Sequence, residues 1–71
     1  MAATSHRVAE IIDRERRARR MSQQVLAHKI GMSYRTLQRS LKGQRPFEYE
    51  EMVAISLLFG DPDLEMYREA S

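Results

Sequence analysis

The chain has 71 residues, of which 42% are hydrophobic and 31% are charged, and its formal net charge is +2 at pH 7. This length suits one small domain of marginal stability, because folding at this size buries only about 60% of the surface of the unfolded chain. The sequence contains no cysteine, which excludes disulfides and cysteine-bound zinc and fits a reducing compartment. Since His6 and His28 are far apart in the sequence, we expect no metal site and no cofactor.

No apolar run approaches the roughly 20 residues that span a bilayer, and the first residues lack the apolar region of a signal peptide. We therefore expect a soluble, cytoplasmic protein without membrane contacts. The charges are unevenly distributed: residues 1–45 hold eleven Lys and Arg against three acids, and residues 46–71 hold one Arg against seven acids. The basic part suits a phosphate backbone, and we expect the acidic part to face away from nucleic acid or toward a protein partner.

The first predicted element is a helix from about Ser5 to Arg19. Thr4 or Ser5 can supply its N-cap, and the helix is expected to end near Arg20, before Ser22 caps the next helix. Apolar residues recur in it at the spacing of a face that packs on a core. The side chains expected to point inward are Val8, Ile11 and Ile12.

This first helix is rich in arginine, but acids accompany several of the arginines. Each of these acids precedes an arginine by four residues, which is the favourable order for an ion pair on one helix. Much of the run is therefore interpreted as helix support, and Arg16 and Arg20 remain as candidates to contact a flanking phosphate. The predicted pairs are Glu10 with Arg14, Asp13 with Arg17, and Glu15 with Arg19.

Residues 23–43 predict two short helices joined by a tight turn. Gly31 suits a helix end that turns through positive φ, Ser33 is a good N-cap for the third helix, and Gly43 closes that helix. Such a pair forms a helix-turn-helix, a motif in which the second helix of the pair enters the major groove of DNA. The apolar stripes that would face a common core are Leu26, Ala27 and Ile30 on one helix and Leu37 and Leu41 on the other.

A fourth helix is predicted from about Phe47 to Phe59, after a loop in which Pro46 restricts Arg45 to extended conformations. Gly60 ends this helix. Some of its apolar side chains should be buried, among Met52, Val53, Ala54, Ile55 and Leu58.

A short C-terminal helix is predicted at about residues 62–69, with Asp61 as N-cap and Pro62 at the first helical position. A helix of this length does not stand alone. It docks either on its own domain or on a second copy, and the sequence leaves both open. The apolar side chains available for such a contact are Leu58, Phe59, Leu64, Met66 and Tyr67.

Several spaced positions within residues 8–60 form one recognisable pattern. They are Met21-Ser22-Gln23, Leu26-Ala27, Gly31-Met32-Ser33, Thr36-Leu37, Leu41-Lys42-Gly43 and Arg45-Pro46. This pattern resembles the phage repressor and Cro helix-turn-helix family, also called the xenobiotic-response-element family. Members often have a glycine where Arg20 stands here and an apolar residue where Glu15 stands.

The resemblance implies an all-α fold: a compact bundle of about five short helices, a lambda-repressor-like DNA-binding domain that covers residues 1–71. It implies a sequence-specific regulator of transcription, a Cro-like repressor of a prokaryote or a phage-infected cell. Family members commonly bind double-stranded operator DNA as homodimers, with half-sites about 34–36 Å apart. We expect no small-molecule ligand.

Candidate base contacts lie on the predicted recognition helix. At about 100° per residue, Arg35 and Arg39 fall opposite the buried Leu37 and Leu41 stripe, with Lys42 beside them. Because arginine is the best bidentate partner of guanine O6 and N7, we predict that both arginines recognise G·C pairs. Tyr34, at the start of the helix, can reach a base edge, a thymine methyl or a phosphate, and Gln38 lies on the flank as a weaker candidate.

Phosphate contacts are expected at the edges of the motif. The resemblance assigns them to Gln23 at the start of the second helix and to Thr36 and the loop of residues 42–45 on the other side. The alternative for Gln23 is a helix N-terminal residue that bonds its own backbone, and for Lys42 and Arg45 it is a solvated loop. The full set of phosphate candidates is Gln23, Ser33, Thr36, Lys42, Gln44, Arg45, Arg16 and Arg20.

Two other functions compete with a repressor. An antitoxin would use the same motif for autoregulation and its C-terminal part to neutralise a toxin, and a protein-interaction module would have kept the fold without DNA binding. An enzyme fits the sequence least, since no nucleophile with a nearby base, no metal-ligand set and no phosphate-binding glycine loop is visible, and no catalytic residue is predicted.

Overall fold

The computed structural model describes residues 5–70, and within this range every regular element is helical. The elements are α1 (Ser5–Ala18), α2 (Gln23–Ile30), α3 (Tyr34–Leu41), α4 (Tyr49–Leu58) and a C-terminal 3₁₀ helix (Glu65–Ala70). This confirms the predicted all-α fold. The predicted N-cap Thr4 and the side chain of Ser5 lie outside the described residues. No described helix has the length and apolar character that crossing a membrane requires.

The turn between α2 and α3 has the predicted local structure. Ser22 and Ser33 are the N-caps of the two helices, and their hydroxyls accept the backbone N–H groups of Val25 and Thr36, each at 3.1 Å. Gly31 adopts φ 74°. Each cap satisfies a backbone donor that the first turn of a helix leaves free, and glycine makes the left-handed turn without a Cβ penalty. The helix-turn-helix is thus fixed by local interactions.

Helix α3 packs against both α1 and α2. Helix α1 also packs against the 3₁₀ helix, and α2 packs against α4. The core lies between these elements. Leu37 of α3 is fully buried at the centre, and the predicted inward residues of α1 are buried as well. Ile30 and Leu41 are partly buried at its edge. The buried apolar side chains are Val8, Ala9, Ile11, Ile12, Leu26, Ala27, Leu37, Phe47, Ile55, Phe59, Tyr67 and Ala70.

Helix α4 (Tyr49–Leu58) is slightly shorter than the predicted helix of about residues 47–59. It begins at Tyr49 and not at Phe47, because Glu48 is the N-cap and its backbone N–H donates to Glu51 Oε1 at 2.9 Å. Phe47 is instead a buried core residue outside the helix. Of the five apolar residues among which burial was expected, Ile55 is fully buried and Leu58 is 36% exposed.

The C-terminal helix is also shorter than predicted and of a different type. It starts at Glu65, because Leu64 has φ 57°, a left-handed conformation that a right-handed helix starting at Pro62 could not include. Asp61 does cap it, but from a distance: its carboxylate accepts the backbone N–H groups of Glu65 at 3.0 Å and of Met66 at 2.8 Å. The predicted helical start at Pro62 is therefore wrong.

The 3₁₀ helix docks on the domain that precedes it. Tyr67 is 8% exposed and its hydroxyl donates to the carbonyl oxygen of Met52 at 2.7 Å. Burial raises the pKa of Tyr67 to about 12, so the phenol remains a donor at neutral pH. Of the two docking modes left open by the sequence, the structure has the one within the chain.

Candidate nucleic-acid interface

The outer face of α3 presents cations without intramolecular partners. Arg35, Arg39 and Lys42 are exposed, and among the described residues their side chains have no hydrogen bond or ion pair. The opposite face of the helix holds the buried Leu37 and Ser40. Because the caps fix the ends of α3 and burial fixes its rotation, the cations project from a rigid support. Their use as DNA contacts stays a prediction.

Tyr34 and Gln38 form a pair on the flank of the same helix. Gln38 Nε2 donates to Tyr34 Oη at 2.9 Å, an interaction between residues four apart. The tyrosine is 40% exposed and the glutamine is half-buried. The pair leaves the amide oxygen of Gln38 available as an acceptor next to the arginines.

Three of the predicted phosphate contacts lie at helix starts, where their side chains differ in availability. The Ser33 hydroxyl donates to Thr36 Oγ1 at 2.8 Å and accepts the Thr36 N–H, so the two hydroxyls are bonded to each other. Gln23 is the first residue of α2 and is half-buried without a side-chain hydrogen bond among the described residues. Gln44, after α3, is exposed, and its backbone N–H donates to the Arg39 carbonyl at 3.0 Å.

Arg45 has a structural environment that the sequence did not indicate. Its guanidinium binds the Glu51 carboxylate as a fork, at 3.0 and 2.9 Å, and donates to Ser40 Oγ at 2.8 Å. The two charged side chains are only 22% and 18% exposed. These bonds connect the end of α3 to the start of α4 and give Arg45 a structural role, while its phosphate contact stays a prediction.

The pKa values of this pair follow from the same contacts. The hydrogen bond to Glu51 raises the pKa of Arg45. Burial opposes ionisation of Glu51, but the hydrogen bonds from Arg45 and from the Glu48 N–H outweigh it and hold the pKa of Glu51 below its ordinary value. Both groups are therefore charged at neutral pH, and the fork is an ion pair.

Arg16 is also held inside the domain. It donates to Asp13 Oδ1 at 2.7 and 2.9 Å and to the carbonyl oxygen of Met21 at 2.7 Å. Its side chain is 13% exposed. Since all three guanidinium nitrogens have partners, Arg16 stabilises the connection between α1 and α2, and its predicted phosphate contact is not supported by its surroundings.

Two of the three predicted ion pairs on α1 are confirmed. Arg17 lies 3.3 Å from Asp13, and Arg19 lies 2.8 Å from Glu15. The pair of Glu10 with Arg14 is wrong. Arg14 instead binds Glu69 of the 3₁₀ helix at 2.6 and 3.1 Å, because that carboxylate offers both oxygens to both guanidinium nitrogens. Glu10 lies 3.4 Å from His6 Nε2.

The basic and acidic parts of the sequence meet in the fold. Arg14 binds Glu69, and Arg19 stacks 4.3 Å from the centre of the Phe59 ring and donates to its carbonyl oxygen at 3.0 Å. The hydrogen bond from Arg14 lowers the pKa of Glu69. The expectation that the acidic part faces away from nucleic acid or toward a protein partner stays a prediction, but at least one of its acids, Glu69, neutralises an arginine of α1 directly.

A small set of cations remains after these pairs are removed. Within the described residues, the cations whose side chains have no hydrogen bond or ion pair are Arg20, Lys29, Arg35, Arg39 and Lys42. Arg20 has φ 54°, the left-handed conformation that the family glycine would adopt more easily. Lys29 received no role from the sequence, although the absence of any acid within four residues of it was an available signal.

The comparisons with known proteins agree with a small helical domain. No curated protein and no solved structure matches the chain. A family model described as BetR domain matches residues 1–70, which is nearly the whole sequence. This family consists of small helical domains that are often associated with DNA-binding regulators. The match extends over α1–α4 and the 3₁₀ helix together, and the chain belongs to the BetR domain family.

Proposed function

We propose that the protein is a sequence-specific, double-stranded-DNA-binding regulator of transcription of the Cro-like type. One observation carries the proposal: the capped α2–α3 pair holds Arg35 and Arg39 on an exposed face, without partners in the described part of the chain, whereas most arginines of α1 are paired. Unpaired guanidinium groups at this spacing on a rigid helix match the bidentate hydrogen-bonding edge of guanine.

In the proposed complex α3 lies in the major groove. Arg35 and Arg39 each donate two hydrogen bonds to a guanine, and the Gln38 amide, oriented by Tyr34, contacts the neighbouring base edge. Lys42 binds phosphate at the end of the recognition helix. Such contacts to the backbone set the position of the protein on the duplex without carrying sequence information.

Further phosphate contacts are assigned to Gln23 at the start of α2 and to Arg20 and Gln44 at the edges of the motif. Bound at an operator, the protein would exclude polymerase and act as a repressor. A palindromic operator would place two copies on adjacent half-sites, about 34–36 Å apart. Repression by exclusion of polymerase and the binding of two copies to a palindromic operator are both part of the proposal. Both follow from the resemblance to the repressor family.

The proposal is tested by selecting bound duplexes from a random pool and then measuring variants on the selected and scrambled sites at fixed salt. Arg35→Ala and Arg39→Ala should each lose about 1–3 kcal/mol on the selected site only. Arg68→Ala is the matched control, because it removes the same charge from the 3₁₀ helix, where Arg68 is 78% exposed. No enrichment, or an equal loss on both sites, would contradict sequence-specific binding.

A further inference from the structure

The outer face of α4 is apolar, which is unusual for a helix at the surface of a small domain. Tyr49, Val53 and Leu57 follow one another at intervals of four residues and form one ridge on this helix. Tyr49 is 70% exposed and Leu57 is 59% exposed. Ala54 and Leu58 extend the same surface, and together these five residues are called the α4 face.

The described chain leaves Tyr49 and Leu57 of the α4 face largely uncovered, whereas Val53 and Ala54 are half-buried. The segment best placed to cover this face is the 3₁₀ helix, which follows α4 directly in the sequence. It packs on α1 instead, where Glu69 binds Arg14 at 2.6 Å, and its contact with α4 is the hydrogen bond from Tyr67 to the Met52 carbonyl oxygen. Ile55 and Phe59 fill the inner side of α4, so its outer side is not needed for the core of the domain.

The charges next to the α4 face are mainly negative, and Arg19, which donates to the Phe59 carbonyl oxygen at the end of the helix, is already paired with Glu15 at 2.8 Å. Glu48 and Glu50 stand at the start of the helix, and Asp61 and Asp63 follow its end. Residues 46–67 contain no lysine or arginine. Arg45, the nearest cation before the helix, is bound in the fork with Glu51. An apolar ridge with acids at both ends is therefore exposed to solvent.

This charge pattern selects between possible occupants. A second copy that packed α4 against α4 in antiparallel orientation would bring Glu50 of one copy toward Asp61 and Asp63 of the other. In parallel orientation it would bring each acid toward its own equivalent. Both arrangements place acids against acids, while Arg19 at the Phe59 end of the helix is already paired with Glu15, and like charges facing each other disfavour an interface.

We propose that the α4 face binds a segment of another protein that carries apolar side chains flanked by lysine or arginine, in the form of an amphipathic helix. The apolar side chains of the partner would pack along the Tyr49, Val53 and Leu57 ridge, as helices do in hydrophobic grooves. Its cations would pair with Glu50 and the acids beyond the helix end. This site is separate from the recognition face of α3 and does not depend on DNA binding.

The test uses the full chain and two synthetic peptides of about 18 residues, long enough to form a helix. One peptide has leucines at four-residue intervals with lysines on both sides, and its twin has glutamates in place of the lysines. Isothermal titration calorimetry should detect binding of the lysine peptide only. The dissociation constant should rise with salt concentration, because the charges are at the surface.

Variants locate the binding on the protein. Leu57→Ser should weaken binding of the lysine peptide at least about tenfold, since it removes a central apolar contact. Glu50→Gln should weaken it by a smaller factor and reduce its salt dependence. Glu65→Gln is the matched control: Glu65 is 63% exposed on the 3₁₀ helix, so its loss should leave peptide binding unchanged. Because Leu57 is exposed, Leu57→Ser should retain the thermal unfolding midpoint and any DNA affinity of the wild type.

Three results would overturn the proposal: no binding of the lysine peptide, binding that Leu57→Ser leaves unchanged, or equal binding of both peptides. Sedimentation equilibrium supplies a fourth. Self-association of the wild type that Leu57→Ser abolishes would show that a second copy covers the α4 face. Failure of DNA binding in the wild type contradicts the proposed function alone and leaves these peptide measurements interpretable.

Discussion

The arginines of α1 and those of α3 have opposite environments, although both helices are basic. In α1 the arginines have acids three or four residues away, and Arg14 finds Glu69 across the fold. Residues 34–44 contain no acid at all, and Arg35 and Arg39 have no side-chain partner within residues 5–70. The density of positive charge along a sequence therefore does not locate a binding surface. The availability of each guanidinium group is the basis on which we propose the surface of α3.

The same comparison separates arginines that stabilise the fold from arginines that keep their hydrogen-bond donors for a ligand. A paired arginine at a surface contributes at most about 1 kcal/mol to stability, and a partly buried one with several hydrogen bonds contributes more. An unpaired arginine contributes nothing to folding but keeps all five donors for a ligand. Substitutions should accordingly divide into those that change stability and those that change binding.

The largest effect on stability is expected for Arg45→Ala. This substitution leaves the Glu51 carboxylate, 18% exposed, without its bidentate partner and removes the bond to Ser40. Hydrogen bonds to charged groups contribute about 1.5–3 kcal/mol, and we expect a loss in that range. For a chain of this size the unfolding midpoint should fall by about 4–8 °C for each kcal/mol. Lys42→Ala, which removes an unpaired cation nearby, should change the free energy of unfolding by less than about 0.5 kcal/mol.

Acid should weaken the same fork. The pKa of Glu51 in the folded protein lies below its ordinary value of 4.5, so the fork's contribution is complete above that value and is lost as the pH falls through the lowered pKa. The pKa values of Glu15 and Glu69 are lowered as well, in the same direction. We expect the free energy of unfolding, measured with urea, to fall as the pH drops below about 4.5. Glu51→Gln should reduce this drop, and an unchanged pH profile would show that the fork is not its source.

Arg16→Ala and Arg39→Ala test the comparison between α1 and α3 directly. The first removes two hydrogen bonds to Asp13, which keeps its ion pair with Arg17, and the bond to the Met21 carbonyl, and it should cost about 1–2 kcal/mol of stability. The second removes an exposed, unpaired side chain and should stay within about 0.5 kcal/mol. Thermal unfolding of both variants measures the difference. Equal effects would mean that the pairing within α1 does not contribute to folding.

The sequence predicted those parts of the fold that have local causes. Ser22, Gly31 and Ser33 determine the turn through their own backbone and side-chain chemistry, and all three positions are confirmed. The starts of α4 and of the C-terminal helix were misplaced, because tertiary contacts decide them. Phe47 is drawn into the core, and the Asp61 carboxylate reaches N–H groups four and five residues ahead.

The candidate site was predictable to the same extent. Helical spacing correctly placed Leu37 inward and Arg35 and Arg39 outward. The partners of Arg14 and Arg45 were not predictable, since Glu69 is 55 residues from Arg14 and the Arg45 fork forms across a loop. A carboxylate that is distant in the sequence can bind an arginine for which helical spacing predicts a nearby acid or solvent. DNA contacts by the outward arginines remain predictions.

The smallest expected effect on stability is at Arg20, which lies between α1 and α2. Like the α3 arginines it has no partner among the described residues, but its backbone is at φ 54°. A left-handed conformation costs a residue with a Cβ roughly 1–2 kcal/mol, and glycine's greater freedom when unfolded offsets part of that. Arg20→Gly should therefore raise the free energy of unfolding by up to about 1 kcal/mol relative to Arg20→Ala, which keeps the strain.

The same two variants separate the backbone of Arg20 from its side chain. Both lack the guanidinium group, so if Arg20 binds a phosphate, both should reduce the slope of log K for DNA against log salt by about 0.9. A slope that equals that of the wild type in both variants would assign Arg20 to solvent. A stability gain in the glycine variant would then still stand, because it depends only on the turn between α1 and α2. The two measurements are independent. The salt slope decides whether Arg20 contacts DNA as proposed for the cations of α3, and the stability difference decides whether its backbone is strained.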